Sequence, residues 1–253
     1  MFLRLATLAA LLSAPFYAQA PAKTEAAATL PDARALINRH IKAVGGREAI
    51  LAHKSMRATG TVSIPSSGMN GPMEIVAAAS PDRSLVKMTV TGIGDILEGF
   101  DGSHGWLVNP MTGAMLKVGK ELTQSKLDAD FYGDLRDPKN YVDVKTVEKT
   151  TFDGRPCYKV SLKRIDGVED FDFYDAATGL RAGSMNTRET FTGVVNMTTV
   201  ESGYKKFGKL TQATVITQKV MGVEQKITLL TVEYDKVEPS AFEPPPAVKA
   251  LIK

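Results

Sequence analysis

From Ser55 onward the chain is written in a period of two, and turns interrupt it too often for anything but an antiparallel sheet. Met56, Ala58, Gly60, Val62 and Ile64 alternate with Arg57, Thr59, Thr61 and Ser63, which is the pattern of a strand with one dry face and one wet face. The same reasoning predicts strands over 73–79, 83–91 and 93–100, around Trp106, and over 143–152, 157–164, 169–174, 180–189, 193–207, 209–221 and 224–235. Asp101-Gly102, Asp153-Gly154, Asp166-Gly167, Thr178-Gly179, Thr192-Gly193 and Phe207-Gly208 mark the turns, because glycine takes the positive φ that a tight reversal needs. Loops this short join antiparallel neighbours and leave no room for the crossover helix of a parallel unit.

Two segments depart from that period. In PDARALINRHIKAVGG, residues 31–46, Ala35, Leu36, Ile37, Ile41 and Val44 recur at helical spacing and Gly45-Gly46 stops the run, so an amphipathic helix opens the fold and a shorter one follows over 47–52. Between Gly119 and Leu135 an apolar stripe of Leu122, Leu127, Phe131 and Leu135 predicts a second amphipathic helix. It stands beside the only tryptophan, Trp106, just after a forced hairpin. A sheet with a helical lid is the arrangement expected. Residues 65–72 read as a hairpin loop, and the tail from Phe242, with Pro244 to Pro246, is expected across a sheet edge. In the last strand Thr228, Leu230, Val232 and Tyr234 are expected on one face and Ile227, Leu229, Thr231 and Glu233 on the other. Both faces are then partly apolar and call for cover.

The first residues carry a different message. Arg4 precedes an apolar run from Leu5 to Tyr17 and a small-x-small site at Ala18-Gln19-Ala20, so 1–20 is expected as a cleaved secretory signal. A flexible leader, 21–30, and one domain, 31–253, follow. Pro21 rather than cysteine at the new N-terminus argues against a lipid anchor, and no later run is long and apolar enough to span a bilayer. The protein is expected in the periplasm, as a monomer. Its net charge of +3 is spread among interspersed acids and bases, apart from small groups such as Lys205-Lys206, which excludes a nucleic-acid footprint.

The chemistry of catalysis is poorly supplied. There is no G-x-S-x-G, H-E-x-x-H, P-loop or dinucleotide signature, and three histidines without a close pair give no metal site. No cofactor and no catalytic residue is assigned. The lone Cys157 can form no internal disulfide and reads as a small buried apolar group. His104 reads as a solvated turn residue. Asp170 and Asp172 share one face of a strand and Phe171 and Phe173 the other, so solvated acids opposite buried rings are expected. Met56, Met73, Met88, Met185, Met197 and Met221 fall in strands, where flexible thioethers suit either core packing or an adaptable apolar pocket.

Taken together, HIKAVGGREA (His40 to Ala49), MRATGTV (Met56 to Val62), GFDG-x-x-GW (Gly99 to Trp106) and the uninterrupted hairpins after Asp143 resemble exported bacterial proteins of the outer-membrane lipoprotein-sorting type. These include the LolA-like periplasmic carriers and the mycobacterial lipid carriers. The resemblance implies an α+β, mostly β fold: a curved antiparallel half-barrel of about eleven strands, covered by a few helices on its concave side, with an apolar cavity between. The function it implies is a non-catalytic carrier of a lipid, a lipoprotein acyl chain or another apolar ligand. A structural or interaction protein of the envelope, with a filled core and a partner on its sheet edge, is the alternative. Facing and residue type nominate Met88, Val90, Ile96, Trp106, Leu127, Phe131, Phe173, Met185, Met197, Ile216 and Leu229 as the ligand-binding residues.

Overall fold

In the computed structural model, residues 29–190 and 193–252 are described; the expected signal segment and the leader up to residue 28 lie outside them. Helix α1 (Ala33–Ala43) starts where Asp32 accepts the Ala35 N–H at 2.9 Å, a side-chain cap for an otherwise orphaned donor. It buries Leu36, Ile37, His40 and Ile41, and α2 (Arg47–Leu51) follows. The strands are β1 (Ser55–Ile64), β2 (Met69–Ala78), β3 (Arg83–Val90), β4 (Gly94–Phe100), β5 (Gly105–Asn109) and β6 (Gly113–Lys117). After α3 (Gly119–Asp128) come β7 (Tyr141–Phe152), β8 (Arg155–Arg164), β9 (Glu169–Asp175), β10 (Arg181–Thr190) and β11 (Gly193–Ser202). The chain closes with β12 (Lys205–Phe207), β13 (Leu210–Gln212), β14 (Val215–Val220), β15 (Val223–Tyr234) and α4 (Pro246–Lys249).

Thirteen of these strands form one curved antiparallel sheet, ordered β6-β5-β4-β3-β2-β1-β15-β14-β11-β10-β9-β8-β7. Each half is a meander of consecutive hairpins, and the last strand, β15, joins them by lying between β1 and β14. Helices α1 and α3 cover one face, called inner below: α1 packs on Val160, Leu162 and Tyr174, and Ser125 of α3 lies over Gly105 of β5.

Several expectations change in detail. The 65–72 loop is only a 3-10 turn at Pro65–Ser67, and β2 starts at Met69. Pro72 is tolerated within it because the ladder to β3 begins one residue later, at Met73 opposite Met88. The expected strands 193–207 and 209–221 both break, and β12 and β13 form a separate two-stranded hairpin. Strand β6 carries too little alternation to be read from sequence. Helix α3 ends at Asp128, so Phe131 and Leu135 lie beyond it, and it buries Gln124 and Ser125 rather than the leucine stripe. The tail does not lie along an edge. It crosses the outer face, where Phe242 packs on Val76, Ala78 and Leu85 beneath the Arg83 guanidinium, 4.7 Å from its ring, and α4 reaches β6.

The sharpest correction concerns β15. Thr59 pairs with Thr231, but Gly60 pairs with Leu229, leaving Leu230 as an extra, 64% exposed residue in a β-bulge. Parity therefore flips within the strand, and Ile227 and Leu229 share the inner face with Val232 and Tyr234. What reads as a strand apolar on both sides is one dry face interrupted by a bulge, and the bulge adds local bend and twist. Gly60 makes the close approach possible, since a Cβ there would sit 2.1 Å from the Thr228 carbonyl oxygen. Gly60→Val is expected to lower unfolding stability by about 2–3 kcal/mol, whereas Gly133→Ala, whose Cβ would meet nothing nearer than 3.7 Å, is expected to be near neutral; denaturant titration of the two variants checks this.

Candidate ligand-binding cavity

The inner face is divided by chemistry. Around the β1–β15 seam it is apolar: Met56, Ala58, Val62, Met73, Ile75, Ile227, Leu229, Val232 and Tyr234 form one cluster with Ile216 and Phe207. Across β8 to β11 it is ionic, and the acids expected in solvent are buried there. Asp170 is 6% exposed and Asp172 1% exposed, because their face is the one that α1 and the chain after α3 cover. Arg164 donates to Asp170 at 3.2 Å, and Arg136 grips Asp172 in a fork of 2.9 and 3.2 Å.

Between these regions and the helices lie two cavities. The first, of about 320 Å³, has Met56, Ala58, Ile75, Ala77, Leu229 and Val232 on its sheet wall. His40 of α1 and Val44 just past it, Leu210 to Gln212 of the small hairpin with Ala213 after it, and Asp128 to Tyr132 at and beyond the end of α3 line the other side. The second, of about 270 Å³, is polar, with Arg136, Arg164, Asp170, Asp172, Ser184 and Arg188 among its walls. Asp128, Asp130, Asp134 and Arg181 line both. The strap from Asp128 to Arg136 is thus a partition as well as a lid.

Polar ties hold the strap. Tyr132 donates its hydroxyl to the His53 carbonyl at 2.9 Å, Phe131 its N–H to Asp82 at 3.3 Å, and Arg181 pairs with Asp134 at 2.8 Å. Arg136, itself hydrogen-bonded through its carbonyl to Arg34, reaches Asp172, which also accepts the Tyr174 hydroxyl at 3.0 Å. Burial pushes the Asp172 carboxyl up, but the guanidiniums of Arg136 and Arg181 outweigh it and hold the group below the usual carboxylate range. Arg181 also pairs with Glu201 at 2.8 Å, and Tyr204 donates to Glu201 at 2.8 Å. Almost every charge here is spent on another side chain. Among the described residues, no group of three or more His, Cys, Asp or Glu is placed to hold a metal ion.

The nominated residues fall in four places. Phe131, Ile216 and Leu229 line the apolar cavity, and Leu127 and Met197 line the polar one. Met88, Val90 and Ile96 share the inner face, as the register Met73–Met88–Ile96 requires, but lie beyond the cavity. Trp106, Phe173 and Met185 face outward. Trp106 is in line with Val76, Leu85 and Gly99, on the face the tail covers, and is 1% exposed; a Cβ on Gly99 would strike its ring at 2.3 Å. Phe173 stacks on Phe152 at 4.0 Å, and Met185 is 40% exposed. His104 sits in its turn beside Asp101, 3.2 Å away, and burial pushes the fully enclosed Cys157 thiol up. Sequence reasoning passed over His40, Arg181, Glu201 and Tyr204; the alternation Met56-Ala58 facing Ile75-Ala77 was the readable signal for the sheet wall.

His40 is 3% exposed, and its Nδ1 accepts the Arg181 N–H at 3.1 Å. Burial first, and then the Arg181 charge, lower its pKa from 6.5 to about 4. The unfolded chain therefore protonates His40 near pH 6.5 and the folded one only near pH 4, so acid favours unfolding between those values, by roughly 3 kcal/mol in total. His40→Asn, which can still accept that N–H, is expected to flatten the stability profile from pH 6.5 down to about 4.5; urea midpoints measured across this range give the comparison.

No protein-family model matches the chain, and no curated protein matches it in sequence. Among solved structures, the chain is similar to a LolA superfamily protein from Nitrosomonas europaea, with a TM-score of 0.53 and 11% identity over 85% of this chain and 99% of that one. A DUF1329 family protein from Desulfovibrio piger superposes with a TM-score of 0.48 and 14% identity over 83% and 97% of the two chains. A protein domain of the outer membrane lipoprotein-sorting type from Vibrio parahaemolyticus gives 0.46 and 10% over 83% and 96%. The fold is LolA-like.

Proposed function

We propose that this chain is an exported, non-catalytic carrier that holds a lipid, an acyl chain or another apolar molecule in the cavity between the β1–β15 seam and the strap. The cavity carries the reading. A sheet filled by its own side chains, as an envelope scaffold would be, leaves no apolar space of about 320 Å³, and that size falls within the range of small-molecule pockets. Each methylene moved from water into such a space contributes about 0.8 kcal/mol, so affinity needs enclosure rather than reactive groups. The arginines and acids around the cavity are engaged with one another. They fit the role of fixing the strap better than that of attacking a substrate. The LolA-like fold supports the same class of function, and the basic-then-apolar N-terminus with its small-x-small site supports export to the periplasm. No helix among the described residues is long and apolar enough to cross a membrane.

Ala77 lies half-buried on the cavity wall, where a larger side chain would occupy the space a ligand needs. A fluorescent fatty-acid probe is expected to bind the native chain and to lose at least tenfold in affinity in Ala77→Phe, with the unfolding midpoint unchanged or raised. Native mass spectrometry of gently purified protein is expected to show a retained apolar molecule. Equal probe uptake by both forms, or none by either, would contradict the assignment of the cavity.

A further inference from the structure

Lys205, Lys206 and Lys209 ride on the small β12–β13 hairpin, whose strands pair only with each other. Its root belongs to the cavity: Leu210 is 5% exposed, Phe207 packs into the apolar cluster, and Leu210 to Ala213 line the cavity wall. Its lysines belong to the surface, and all three are exposed. The end of α1 is stitched alongside, since Thr211 donates its N–H to the Val44 carbonyl at 2.9 Å and a Cβ on Gly45 would sit 2.6 Å from the Lys209 carbonyl oxygen. That contact brings Lys42 and Arg47, both exposed, beside the hairpin.

Segments 42–48 and 205–212 together hold five cations, Lys42, Arg47, Lys205, Lys206 and Lys209, against one acid, Glu48. None of the five lies within ion-pair distance of an acid among the described residues, and Arg47 alone has a further acid near enough to feel its charge, Asp137. Elsewhere Lys87, Lys117, Lys159 and Lys236 are each paired with an acid, and Lys149, which is not, lies over the Tyr158 ring, away from the cavity wall. The interspersed charge of the sequence conceals a local cationic cluster that adjoins the wall of the apolar cavity.

We infer that this hairpin and the end of α1 dock the protein on an anionic bilayer surface. The occupant follows from charge complementarity and from place. Unpaired lysines are attracted to the negative surface potential of acidic lipids, and a bilayer is where an apolar ligand resides. Only the purpose of docking rests on the carrier reading; the binding itself does not. Each exposed lysine near such a surface shifts partitioning roughly fivefold, and salt screens the effect within about a Debye length.

Sedimentation with vesicles of phosphatidylcholine alone, and of phosphatidylcholine mixed with phosphatidylglycerol, tests this. The native chain is expected to bind only the mixed vesicles and to be released by added salt. K205E/K206E/K209E, which reverses three charges rather than removing them, is expected to bind at least a hundredfold more weakly, while K145E/K149E/K163E, with the same change in net charge on the exposed lysines of β7 and β8, binds as before. No binding to mixed vesicles, or equal loss in the two triple variants, overturns the inference. Soluble polyglutamate bound through the same lysines more tightly than the vesicles would also overturn it, in favour of an acidic protein partner. Fatty-acid probe uptake by K205E/K206E/K209E is expected to be intact. If vesicle binding survives while no form takes up the probe, the cavity reading fails and the docking surface stands.

Discussion

The pairing of β1 with β15 is what makes one sheet out of two meanders. Without it, β1 to β6 and β7 to β14 are separate antiparallel ribbons, each with a raw edge. With it, the last strand of the chain is threaded between the first strand and β14, and the dry faces of both halves turn to the same side. The bulge at Gly60 and Leu230 sits in this seam. It puts Ile227 and Leu229 on the same side as Val232 and Tyr234, and it bends the sheet where the cavity lies. Backbone geometry at one glycine thus decides both the lining of the cavity and its curvature.

The other half of the inner face follows a different rule. Burying Asp170, Asp172 and Arg164, and partly burying Arg181, costs desolvation that ion pairing only partly offsets. Such a network contributes little net stability, yet it fixes orientation, because each fork is satisfied in one arrangement. Arg136 reaches Asp172 from the strap, and Asp134 of the strap reaches Arg181 of the sheet. The ionic half therefore holds the strap in place over the apolar half. One region supplies space with a mainly apolar sheet wall, and the neighbouring region positions the segment that lies over it.

Much of the fold was legible because antiparallel hairpins advertise themselves through alternation and turn glycines. The curved sheet, the opening helix and most strand positions follow from those signals. The candidate site was less legible, and the reason is parity. Trp106, Phe173 and Met185 have the residue types of a ligand wall, but whether they face in or out depends on cross-strand partners such as Gly99 and Gly183. The Gly60–Leu230 bulge reverses parity within one strand, and its mark in the sequence, a strand apolar on both sides, reads equally well as two covered faces. Asp170 and Asp172 show the complementary failure. Period two places them together but cannot distinguish solvent from a layer of arginines, one of which, Arg136, arrives from 36 residues away.

Widening the cavity for a ligand means moving a wall, and the walls differ in how they are held. The sheet wall is bound on both sides of each strand by continuous backbone ladders, and opening it at the seam would break the β1–β15 register along its length. The strap has no ladder. It buries Ala129 and Leu135 and is otherwise held by bonds that involve a side chain, among them those of Tyr132, Arg136 and Asp134 and those of Asp82 and Arg34 to its backbone. The Tyr132 hydrogen bond exchanged for one with water costs only about 1 kcal/mol net; parting the Arg136–Asp172 and Arg181–Asp134 pairs costs more, but they are only two contacts. The same segments rebond wherever water reaches them, whereas a strand parted from its neighbours inside the sheet leaves a row of donors and acceptors unmet. Displacing 128–136 is therefore the less costly way in, and the ionic half of the inner face is what returns the strap to its place.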